Sequence, residues 1–84
     1  MIFGLYAVKD EAVSFGAVMT QNNDASAMRA FAHECENVDS YWHSHPSDYS
    51  LWKVGEYDSD TGQIIDTATN LVCRATDFVR KGDK

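Results

Sequence analysis

The chain has 84 residues, 44% of them hydrophobic and 12% aromatic, and its 13 acidic and 7 basic residues give a formal net charge of −6. That length allows one small domain with a modest core, for which self-association is expected, and the composition excludes a disordered chain. The charge excludes a protein held to nucleic acid by electrostatics alone, because such binding rests on Lys and Arg neutralising phosphates; a basic patch on one face stays compatible with it.

Residues 2–8 (IFGLYAV) are apolar on both faces, as in a central strand. Residues 9–12 are polar enough to turn, and 13–19 are apolar again, so a first hairpin is expected. Asn23 and Asp24 then offer helix caps. The helix itself is expected over 25–36, where Met28, Phe31, Ala32 and Cys35 recur at i, i+3, i+4 and i+7. Alanines at 25, 27, 30 and 32 favour helix and permit close packing on a sheet. Residues 38–48 show no period and contain Pro46, the single proline.

The densest aromatic stretch follows. Tyr49, Leu51, Trp52, Val54 and Tyr57 suit a pleated, half-buried strand over 49–58. Asp58-Ser59-Asp60-Thr61-Gly62 is a turn, with the aspartate bonding backbone N–H groups and Gly62 taking the left-handed conformation. Residues 63–66 form the return strand. Leu71, Val72, Ala75, Phe78 and Val79 then fit a short second helix. A terminal strand is the alternative, since Val72, Thr76 and Val79 are β-branched. The expectation is a single α+β domain over residues 1–80: two hairpins in a mostly antiparallel four-stranded sheet, helices on one face, and a frayed tail at 81–84.

Chemical motifs are few. Tyr41-Trp42-His43-Ser44-His45-Pro46 resembles the H-S-H-P signature of JAMM-type zinc proteases, and two histidines at i, i+2 on an extended segment point the same way. The aspartate that such a site needs falls on Glu56, its serine on Lys53, and Glu34 and Glu36 precede the histidines by too little to come from a separate strand. A looser metal set would use His33, Cys35, His43 and His45; its spacing matches no familiar finger, which leaves His43 and His45 as the metal candidates. Asp58, Asp60 and Asp66 lack the spacing of a calcium loop, and turn chemistry accounts for them. Cys35 and Cys73 form no CxxC pair and read as reduced, buried thiols. No secretory signal is expected, because residues 1–8 are too short an apolar run and lack a basic start. No apolar run approaches the roughly 20 residues of a membrane span. No catalytic set and no cofactor are expected. Nucleic-acid binding would need aromatics beside cations on a sheet, for which Tyr6, Lys9, Arg29, Trp52, Lys53 and Arg74 are the candidates, with Arg80 and Lys81 extending a basic end.

Three blocks carry a resemblance: IFGLYAVKD at the start, NNDASAMRAF at the helix, and HPSDYSLWKVGEYDSDTGQI through the second hairpin. Through them the chain is similar to the small nonstructural protein of gokushovirus-type microviruses, single-stranded DNA phages. The third block is the most specific, and the likeness weakens after Asp66. The resemblance implies a noncatalytic accessory protein of the host cytoplasm, outside the virion, labelled nonstructural or DNA-binding. It implies a role in the switch from duplex replication to single-strand synthesis during packaging, with single-stranded DNA or phage or host replication and packaging proteins as partners. Two other readings stay open: a homo-oligomeric interaction module without nucleic acid, and a small metal-binding domain using His43 and His45.

Overall fold

The computed structural model describes residues 1–79; the expected tail at 81–84, with Arg80 and Lys81, lies outside them. Five strands and one main helix are present: β1 (Ile2–Asp10), β2 (Phe15–Gln21), α1 (Asp24–Cys35), a one-turn helix α2 (Tyr41–Ser44), β3 (Tyr49–Asp58), β4 (Gln63–Ile65) and β5 (Asn70–Arg74). The sheet order is β2-β1-β3, and β3 shares its far side between two short strands. β4 pairs with Glu56 to Asp58 and β5 with Ser50 to Lys53, so the two lie along one edge. Every pairing is antiparallel. The protein is α+β, with its long central strand tied to three neighbours.

Local chemistry accounts for the boundaries. The first turn begins at Asp10, whose side chain accepts from the Ala12 N–H at 2.9 Å and whose carbonyl accepts from Val13, so β1 runs two residues past its expected end and β2 begins at Phe15, two residues later than expected. Asn23 caps α1 by accepting from the Ser26 N–H at 2.8 Å, with Asp24 in the first turn. The second turn forms as the sequence indicates. Asp58 accepts from the Asp60 N–H through its carboxylate and from the Gly62 N–H through its carbonyl, and Gly62 has φ +76°.

One segment differs from the leading expectation. Residues 70–74 form strand β5, and a 3-10 turn over Ala75–Asp77 replaces the anticipated helix. The apolar spacing fits a helix. However, β3 offers an unpaired edge beside Ser50 to Lys53, and the strand alternative satisfies it. A bulge at β5 lets Leu71 and Cys73 pair with Trp52 and Leu51.

Helix α1 covers one face of the sheet. Tyr6, Ala27, Phe31, Cys35, Leu51, Cys73 and Ala75 form the buried core. Phe31 is its centre, with Trp42 at 5.1 Å and Phe78 at 6.2 Å between ring centroids. Among the described residues no helix covers the opposite face.

Candidate functional site

Strand alternation and register fix what that open face carries. β1 sends Tyr6 and Val8 toward α1, so Phe3, Leu5, Ala7 and Lys9 point the other way. Cross-strand partners extend these into rows. Phe15, Lys9, Ser50 and Arg74 form one row; Val18, Ala7, Trp52 and Leu71 the next; Phe3 and Tyr57, with Ile64, lie at the far end. Bulges in β2 and β3 keep the rows aligned by restoring the alternation on either side.

The same register sorts charge. Asp10, Glu56 and Asp58 pair with Tyr49, Gly4 and Ile2, which places these strand carboxylates on the helix side. The open rows therefore contain two charged residues, the cations Lys9 and Arg74. Glu11 reaches Lys9 from the turn at 3.8 Å. A chain of net charge −6 thus presents an aromatic and cationic surface on one side of its sheet.

At its centre is a three-residue cluster. Trp52 and Phe15 pack edge to face with centroids 6.0 Å apart. The Lys9 ammonium stands 5.6 Å from the Phe15 centroid and 5.8 Å from that of Trp52. The Trp52 indole N–H donates to Ser50 Oγ at 2.8 Å, which fixes the ring, and Ser50 is itself 1% exposed. Phe15 remains 43% exposed and Trp52 half-buried, so the cluster is preorganised and reachable.

The sequence candidates separate accordingly. Lys9, Trp52 and Arg74 come together. Tyr6 does not join them: it is fully buried on the helix side, its hydroxyl donates to Asp24 Oδ1 at 2.6 Å, and burial followed by the Asp24 carboxylate pushes its ionisation upward. A stacking role for Tyr6 is thereby corrected; its ring rests on Gly4, part of the core. Lys53 pairs across from Tyr6 on the helix side and donates to Glu56 at 3.1 Å. Arg29 projects from α1, away from the open rows. Phe15 is the contributor that sequence reading missed, because its place depends on the bulge in β2.

His43 and His45 sit on a helical turn and its exit, which corrects the extended geometry on which a shared metal rested. His43 Nδ1 lies 2.9 Å from the Cys35 carbonyl, and His45 Nδ1 lies 2.8 Å from Ser44 Oγ. Among the described residues no group of three or more His, Cys, Asp or Glu side chains is placed to hold a metal. Cys35 and Cys73 are free and buried, and burial pushes each thiol up to about 11. Among the same residues no helix is long and apolar enough to cross a membrane.

No curated protein and no solved structure gives a significant match to the chain. A family profile described as Phage ORF5 protein does match, over residues 3–78, which takes in α1 and all five strands except the first residue of β1. The chain belongs to the Phage ORF5 protein family, and is a phage protein.

Proposed function

We propose that this protein is a noncatalytic accessory protein of a gokushovirus-type, single-stranded DNA microvirus, and that it binds single-stranded DNA on the open face of its sheet during replication or single-strand synthesis. It would act in the bacterial cytoplasm and stay out of the virion. The observation that carries the reading is the Lys9–Phe15–Trp52 cluster on a face from which the strand carboxylates are turned away. Exposed aromatic rings accept bases by stacking whatever their identity, and a cation beside them meets the phosphate chain. With Lys9 and Arg74 as its cations, the face binds weakly at physiological salt, and stacking supplies most of the affinity.

The test is tryptophan fluorescence during titration with oligothymidine at low and physiological salt. Trp52 is on the proposed interface, whereas Trp42 packs on Phe31 and Tyr49 at the other side of the sheet. Saturable quenching is expected at low salt, retained in Trp42→Phe and lost in Trp52→Phe. Lys9→Ala weakens binding several-fold. No quenching at either salt removes the DNA reading. The same uncovered face, with Val18 and Ile64 at 56% and 70% exposure, would then favour a phage or host protein of the replication or packaging machinery.

A further inference from the structure

We infer that β2 is a self-association edge: two copies pair their β2 strands antiparallel about a two-fold axis, joining two sheets into one. The sheet has two edges, and they are guarded very differently. On one side the edge is broken into β4 and β5, of three and five residues, separated by the 66–69 loop. Short edge strands offer little to a partner. On the other side β2 runs seven residues, Phe15–Gln21, with β1 along one flank and, among the described residues, no strand along the other. It contains no proline, lysine or acidic residue, and the bulge between Phe15 and Val18 is its one defence against pairing.

Charge selects the occupant. Residues 12–23 form the longest uncharged run in the chain, and β2 lies within it. Two copies at −6 repel each other over most of their surface, and this edge is where they approach without opposed carboxylates. Along β2 itself a basic partner finds no carboxylate, Asp10 being the one acid in the adjoining groove, whereas an uncharged, β-prone strand fits, and β2 itself is such a strand. An antiparallel pair of identical strands is also self-complementary, as a two-fold interface requires.

The surroundings supply the rest. Backbone pairing of seven residues is small for a stable interface. Beside β2, on the helix side, lies an open groove of about 500 Å³ with Val8, Met19, Trp42 and Tyr49 among its lining. A strand added to β2 lays its helix-side residues over that groove and buries apolar surface that one copy leaves exposed. A small domain with this limited core gains from such burial.

The experiment is light scattering coupled to size-exclusion chromatography over roughly 1–200 µM, a range suited to a small interface. The mass is expected to rise with concentration from the 9.4 kDa of one chain toward twice that value. Val18→Lys, at an exposed site in mid-strand, places like charges at the two-fold and holds the protein monomeric, with an unchanged circular dichroism spectrum and a melting curve that no longer depends on protein concentration. Thr20→Lys does the same and serves if Val18→Lys folds poorly. Ile64→Lys, on the open face far from β2, leaves the dimer intact. A monomer at every concentration overturns the proposal and leaves the edge to a strand from another protein. A dimer dissolved by Ile64→Lys but kept by Val18→Lys also overturns it, because the open faces would then be stacked instead.

Discussion

Tyr6 and Trp52 each have a large ring with one polar atom, and each polar atom has a partner, but they lie on opposite faces of the sheet. For Tyr6 the partner is Asp24 at the start of α1, so one hydrogen bond ties β1 to the helix that covers it. Tyr6→Phe keeps the ring and removes that tie. The expected loss is about 1–2 kcal/mol in urea unfolding, because the bond is charge-assisted and partly buried, and the DNA binding proposed for the far face is expected to be unaffected. The two core thiols give a prediction in pH. Burial keeps Cys35 and Cys73 neutral and raises both to about 11. Their contribution to stability is therefore complete below the ordinary thiol range and is lost as pH rises through the folded value. Unfolding midpoints are expected to be level near neutrality and to fall from about pH 9 to 11, by as much as about 1.4 kcal/mol per pH unit for each thiol. The Cys35→Ala, Cys73→Ala double variant has a flatter profile over that window, which separates the thiols from other groups that titrate there.

At the scale of elements, the rigid part of the design is the crossing of β1, β3 and α1. Gly4 shows how tightly it is built: a Cβ there would lie 2.5 Å from the Tyr6 ring. Tyr6 is fully buried and hydrogen-bonded, so it has nowhere to move. Gly4→Ala is expected to lower stability by about 1–3 kcal/mol, measured by urea unfolding, whereas Gly16→Ala, which meets only the Val8 carbonyl at 3.5 Å, is nearly neutral. The elements that sequence made legible are those with local causes. The Asn23 cap, the periodic face of α1 and the Asp58–Gly62 turn each depend on residues within a few positions of one another. β5 was ambiguous because its reason is remote: the vacant half of β3 lies some twenty residues earlier. Tyr6 was misplaced for a related cause. Alternation along β1 is hidden by apolar residues on both faces, so nothing local says which face α1 will cover. The site was legible in part, as Lys9, Trp52 and Arg74, while Phe15 waited on a bulge.

For the whole molecule, the proposed DNA binding requires a chain of net charge −6 to approach a polyanion. Long-range repulsion falls off within a Debye length of roughly 8 Å at physiological salt, so what matters is the charge close to the contact. There the register has placed Lys9 and Arg74 and turned the strand carboxylates away. Two phosphates neutralised on a single strand predict a slope of log affinity against log salt near about −1.4, from roughly −0.7 for each contact. Adding a cation to the same face should steepen it by one such step, so Ile64→Lys is expected to bind more tightly at low salt with a slope near about −2.1. Lys53→Ala and Arg29→Ala, which alter cations on the other side, leave the slope unchanged. A slope several times steeper in the wild type, or one moved by Lys53→Ala or Arg29→Ala, would place the DNA on the helix side. There Lys53 is already paired with Glu56 and the strand carboxylates Asp10, Glu56 and Asp58 lie on the same side, so such binding would have to work against the charge arrangement that β1 and β3 impose.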